Sequence, residues 1–147
     1  MMDLVEQPNI TWQAAHRACE AALCRAGEME VEVAVALVDG GGRLIAFLRS
    51  QRAPFHCSEI AQDKAYTAAG FKLATHRWAE VSKDFSPAVA EGLRQRDRMV
   101  MFGGGFPILV NGECAGGIGV SGASEEQDME CAVTALNLIG ADTESIK

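Results

Sequence analysis

Two hairpin signals set among helical stretches predict an α+β fold, an antiparallel sheet with helices packed on it. The first signal is Asp39-Gly40-Gly41-Gly42, flanked by apolar runs at 31–38 and 43–49. The second is Asn111-Gly112, flanked by 106–110 and 113–120. Asn-Gly between apolar runs is the strongest short hairpin signal, because both central residues of the favoured turn need positive φ. The resulting order is helix, hairpin, helices, hairpin, helix. The hairpins echo each other as Leu37-Val38-Asp39-Gly40 and Leu109-Val110-Asn111-Gly112.

Thr11 opens the first helix as its N-cap, its hydroxyl accepting a bond from an orphan N–H of the first turn. Ala14, Ala15, Ala18, Cys19, Ala22 and Leu23 recur at helical spacing, and this stripe of small residues implies close packing. Gly27 is the expected C-cap. In the first strand, Val31, Val33, Val35 and Leu37 alternate onto one face. After a break at Ala53-Pro54, a helix is expected over 58–71, with Ser58 as its cap and Ile60, Ala61, Ala65, Ala68 and Ala69 on its inner side. Shorter helical pieces are expected over 77–81 and 87–96, Pro87 suiting a helix start. Pro107 restricts the start of the third strand to an edge or a non-bonded position. Ser124 and Gln127 form a capping box for the last helix. That helix stops at Gly140, and 142–147 is expected to fray.

The 147 residues suffice for one domain, spanning 1–147. With 48% apolar and 22% charged residues the chain has globular composition rather than that of a disordered one. A net charge of −7 argues against nucleic acid, since phosphate binding needs a basic face. The charge is uneven: two basic against seven acidic residues over 1–42, ten against six over 43–98, and one against seven over 99–147. The basic middle either faces an anionic ligand or an acidic patch of a sister subunit, or is a set of solvated helix faces. No apolar run approaches the ~18 residues of a membrane span, so no membrane partner is expected. Residues 1–9 carry Asp3 and Glu6 without a basic region, unlike a signal peptide. Five cysteines without CxxC spacing are expected as free thiols, and the location as cytoplasmic.

Glycine is the compositional oddity, with eight of 15 falling between Gly103 and Gly122. Phe102-Gly103-Gly104-Gly105-Phe106-Pro107 lacks phosphate-loop spacing. Its three glycines either offer amides to an anion or a flat ligand, or make a tight connection into a strand. Ile118-Gly119-Val120-Ser121-Gly122 runs into the capped helix, a natural anion site. Glu125, Glu126, Asp128 and Glu130 suit the helix dipole but repel an anion, which favours plain capping. Asp128 remains a candidate polar handle. Lys64, among small residues, either reaches solvent or an acidic partner, or serves as a base or Schiff-base nucleophile. Arg49, at a strand end, either clamps a carboxylate or is exposed. His16, at the edge of the apolar stripe, is a candidate ligand for haem iron or an ordinary surface imidazole. No HExxH, His/Cys spacing or GxSxG is present, and no metal site is expected.

The runs Val35-Ala36-Leu37-Val38-Asp39-Gly40-Gly41-Gly42-Arg43-Leu44 and Ser58-Glu59-Ile60-Ala61-Gln62-Asp63-Lys64-Ala65-Tyr66-Thr67-Ala68-Ala69 resemble the GlcG/HbpS-like family. So do Phe102-Gly103-Gly104-Gly105-Phe106-Pro107, Gly119-Val120-Ser121-Gly122 and Glu126-Gln127-Asp128. This haem-degrading domain family includes the C-terminal domain of PduO-type proteins. The resemblance spans about residues 11–139. It implies a profilin-like α+β fold with a five-stranded antiparallel sheet, dimers assembling further to octamers, and ligand pockets where subunits meet near the glycine-rich loop. One departure stands out: Arg49-Ser50-Gln51-Arg52-Ala53-Pro54 replaces an Arg-Met-Asp-x-Ala-Pro pattern, so an acidic position is polar or basic here. A loop changed in this way suits a more anionic ligand.

Three functions follow as expectations. The first is a small accessory enzyme of a catabolic pathway, an isomerase, deaminase or hydrolase needing no cofactor. Its substrate would be an anionic intermediate such as an aromatic ring-cleavage product. Arg49 and Arg52 would hold carboxylates and the amides of Gly103, Gly104 and Gly105 an oxyanion, with Phe102 and Glu126 completing the binding set. Lys64, Asp128 and His16 would move protons. The second is a tetrapyrrole-binding protein, with haem or a corrinoid between subunits and His16 as axial ligand. The third is a scaffold without turnover.

Overall fold

A computed structural model of the protein describes residues 2–146. The chain runs through α1 (Trp12–Glu28), β1 (Ala34–Asp39), β2 (Leu44–Arg49) and α2 (His56–Phe71). Two 3-10 turns, Thr75–Arg77 and Ser82–Asp84, then flank the single turn α3 (Trp78–Val81). Next come α4 (Pro87–Arg94), β3 (Gly105–Val110), β4 (Glu113–Ser121) and α5 (Glu125–Leu138). The two hairpins join through their first and last strands into one antiparallel sheet, ordered β2-β1-β4-β3. Asn111 and Gly112 both take the positive φ their turn requires, 53° and 79°.

The α+β expectation holds, but the sheet has four strands among the described residues, not five. It ends at β2 on one side and at β3 on the other. Pro107, with no N–H to give, lies in that second edge strand. The Asp142 N–H donates to the Leu109 carbonyl along the same edge, so the tail covers part of it.

Strand alternation splits the apolar residues between two cores. Val33, Val35, Leu37, Ile108, Ile118 and Val120 face one side, where α1 and α5 lay Ala15, Ala18, Ala22, Cys131, Ala135 and Leu136 on them. Ala34, Ala36 and Val38 face the other side, under Cys57, Ala61, Ala65 and Ala69 of α2. Here helix and sheet meet backbone to backbone. A Cβ added at Gly119 would overlap the Ala61 carbonyl oxygen, and one at Gly117 the Ala65 carbonyl oxygen. At Gly105 it would lie 2.6 Å from the Lys64 carbonyl oxygen.

Several boundaries depart from the sequence reading for local reasons. The second helix starts at His56, because N–H groups of Cys57 and Ser58 turn back to Pro54 and Phe55. Ser58 therefore lies inside the first turn and caps nothing. Gly27 is likewise inside α1; Met29 occupies the cap position and Glu30 takes the left-handed φ of 58°. The first strand starts later than expected because the Val31 N–H is bound to Ala26. Thr11, Ser86 and the Ser124–Gln127 box cap their helices, Pro87 starts α4, and Gly140 follows the end of α5. The tail does not fray over its described part. Ala141 and Ile146 are buried, and the Asp142 carboxylate accepts bonds from the N–H groups of Glu144 and Ser145. All five cysteines are free thiols, and only Cys24 is exposed.

Candidate functional site

Lys64 leaves α2 toward the sheet, on the row formed with Ala61, Ala65 and Ala68, and is 1% exposed. Its Nζ donates to the Val120 carbonyl at 2.8 Å and to Asp128 Oδ2 at 3.2 Å. Asp128 comes from the first turns of α5, positioned by the Ser124 capping box. Its Oδ1 accepts the Ala123 N–H at 3.0 Å, so one carboxylate closes the strand-to-helix connection and neutralises the ammonium. Burial pulls the Lys64 pKa below the usual lysine range, with Asp128 opposing the shift. Burial also pushes Asp128 up, against Lys64 and the backbone N–H groups that hold it.

The glycine-rich loop closes over this pair. Gly104 has φ 124°, and a Cβ there would lie 2.6 Å from Lys64 Nζ. The Phe102 ring centroid is 5.1 Å from the same atom, within cation–π range. The Gly103 N–H donates to Glu125 Oε1 at 2.8 Å and the Gly105 N–H to Thr75 Oγ1 at 2.9 Å. Two of the three amides expected to receive an oxyanion are therefore already bound within the chain. Sequence reasoning missed Thr75 and Glu125 as the groups that hold the loop.

The other candidates are scattered. Arg49 Nη1 donates to the carbonyls of Ser50, Gln51 and Ala53, so it orders the loop after β2. Arg52 and Glu126 are exposed, and neither side chain has a partner among the described residues. His16 projects exposed from α1, on the opposite side of the sheet from α2, and no hydrogen bond or ion pair among the described residues joins it to Lys64 or Asp128. It lines a surface depression of about 410 Å³ with Glu20, Leu23, Cys24 and Leu48. Its imidazole has no hydrogen-bond partner among the described residues.

On the α2 side, Asp63, Tyr66, Thr67 and Arg98 form a cluster that the sequence reading did not single out. Its signal was there, in Asp63, Tyr66 and Thr67 at helical spacing and in the charged run Arg96-Asp97-Arg98. Among the described residues, no group of three or more His, Cys, Asp or Glu side chains is placed to hold a metal ion, and no helix is long and apolar enough to cross a membrane.

Residues 10–137 match the family described as haem degrading protein HbpS-like. The chain is 37% identical over 138 residues to the corrinoid adenosyltransferase PduO of Citrobacter freundii, covering 92% of this chain but 40% of that protein. It thus spans less than half the length of that relative. It is 35% identical over 129 residues to an uncharacterized 15.0 kDa protein from the dhaT-dhaS intergenic region of the same organism, covering 88% and 91%. Among solved structures, Klebsiella pneumoniae ORFY superposes with a TM-score of 0.86 at 32% identity, covering 97% and 99% of the two chains. A complex of PduOC with haem superposes at 0.83 and 34% identity, covering 92% and 98%.

Proposed function

The chain belongs to the HbpS-like family, and from that premise we propose that it binds haem, with the His16 imidazole as a ligand to the iron. The observation that carries the reading is the free, exposed imidazole at the rim of an open depression. The neighbouring residues suit such a group. Leu23 and Leu48 give apolar contact to a porphyrin face, while Glu20 and Cys24 follow His16 at one and two turns along α1. A haem iron so held would supply ligand binding and one-electron chemistry. The protein's own part is to orient the imidazole on a rigid helix and to present the apolar wall beside it.

The depression is open, and β2 beside it ends the sheet among the described residues, with Leu44 and Leu48 exposed. We take a second copy of the chain, laid along β2, to cover the outer side of the bound group. Turnover is no part of this reading, because Lys64 and Asp128 lie beneath the glycine-rich loop with their polar atoms turned on each other. Titration with haemin is expected to give a saturable Soret shift that His16→Ala abolishes while far-UV circular dichroism stays unchanged. An identical response from His16→Ala overturns the iron ligand. Absence of a saturable shift in the wild type overturns haem binding itself.

A further inference from the structure

Away from His16, a cleft of about 470 Å³ opens between α2, the turn Gly40-Gly41-Gly42 and the residues that follow α4. Tyr66, Phe71, Leu93 and Met99 line it with apolar surface, two of them aromatic. The glycine turn brings no side chains into it. Gly42, at φ 83°, packs so closely that a Cβ would sit 3.0 Å from the Tyr66 ring.

Two guanidinium groups also line this cleft. Arg98 is preset: its Nε donates to Asp63 Oδ1 at 2.9 Å, and its Cζ lies 3.8 Å from the Tyr66 ring centroid. Its backbone takes a left-handed φ of 65°, uncommon for a long side chain. Thr67 holds that conformation, donating to the Arg98 carbonyl at 2.7 Å and accepting the Val100 N–H at 3.1 Å. Asp63 engages only Nε, so the terminal groups of the Arg98 fork keep their donors. Arg96, two residues earlier, has no side-chain partner among the described residues.

We propose that this cleft binds a small aryl monocarboxylate. The ring lies against Phe71, Leu93 and Met99, beside the Tyr66 face that the Arg98 guanidinium already covers, and the carboxylate is taken by Arg98 and Arg96, whose planar forks match its two oxygens. Asp63 and Asp97 at the same rim disfavour a second negative charge on the ligand. The inference stands apart from the haem reading, since His16 is on the opposite side of the sheet.

Benzoate is the probe and benzamide its neutral isostere, followed by amide NMR on the intact protein. Benzoate is expected to shift the amides of Gly40, Gly41, Gly42, Arg98 and Met99 saturably, and benzamide to bind about tenfold more weakly or worse. Arg96→Ala, at an exposed and unpartnered position, is expected to lose about tenfold in benzoate affinity with an unchanged melting temperature, and Arg98→Lys to lose at least as much. Haemin-loaded protein is expected to bind benzoate as the free protein does. The proposal is overturned by no saturable shift up to about 10 mM benzoate, by equal binding of benzamide, or by full affinity in Arg96→Ala. It is also overturned if haemin displaces benzoate, or if Phe71→Glu dissociates an oligomer, which would make the cleft a subunit interface.

Discussion

An ammonium group sealed from water must find partners or give up its proton. Lys64 finds a carbonyl and a carboxylate, yet burial still moves it and Asp128 each toward the neutral form. Such a pair adds little over a well-packed apolar replacement, and removing one member strands the other. Lys64→Ala is accordingly expected to cost about 3–5 kcal/mol in urea unfolding. The double variant Lys64→Met with Asp128→Leu should recover part of that loss, because it removes the stranded charge but leaves the Ala123 N–H without its acceptor. A single variant as stable as the wild type would show that the carboxylate is not stranded. The sequence singled out both residues but left Lys64 open between solvent and an acidic partner. Nothing local decides between them, because Asp128 is 64 positions away and meets Lys64 only after α2 has docked on β4. Arg49 shows the same limit. Its place at a strand end was readable, but its three bonds to carbonyls depend on the path of the loop that follows.

At the level of elements, α2 and β4 meet backbone against backbone at Gly117 and Gly119. Gly119→Ala puts a methyl group into the Ala61 carbonyl and is expected to destabilise by about 3 kcal/mol, since neither backbone has room to yield. Gly27→Ala is the control. It also lies in regular structure, but open space surrounds its Cβ position, and it should stabilise by about 0.5–1 kcal/mol. Thermal unfolding of the two variants checks both signs, and a tolerated Gly119→Ala would mean that the helix can lift from the sheet. Periodicity and turn chemistry made most elements readable, including both hairpins and the caps at Thr11 and Ser124. They could not show that Gly105, Gly117 and Gly119 share one face beneath one helix, since that depends on strand register. The missing fifth strand has a different cause: a strand count carried by resemblance is not written in any local pattern of this chain.

For the whole molecule, the uneven charge along the sequence does not divide the helices by sign. Among the helices, α5 carries four acidic and no basic residues, α1 two of each, α2 two acidic and one basic, α3 one acidic and none basic, and α4 one of each, so the basic residues of the middle third lie mostly in the turns and loops between elements. The edge of β2, which no further strand covers among the described residues, offers backbone donors and acceptors to a second copy. Light scattering is therefore expected to give a mass above the 15.7 kDa of one chain. Leu48→Lys, a charge at the exposed edge, should shift the population toward the single chain. A wild type that stays at single-chain mass at micromolar concentration would overturn the covered haem site. Composition made the globular character legible, but association depends on which residues end up side by side on the surface.

Most protein interfaces are compliant, because side chains trade one rotamer for another when something pushes on them. The contact between α2 and β4 sets the carbonyl oxygens of Ala61 and Ala65 against the Cα atoms of Gly119 and Gly117, which have no rotamers to trade. Helix and strand therefore behave mechanically as a single beam. Lys64 projects from that beam toward the glycine-rich loop, while Tyr66 and Thr67 project from it into the cleft. A load applied at the cleft that displaces α2 must displace the ammonium as well, with no soft layer between them to absorb it.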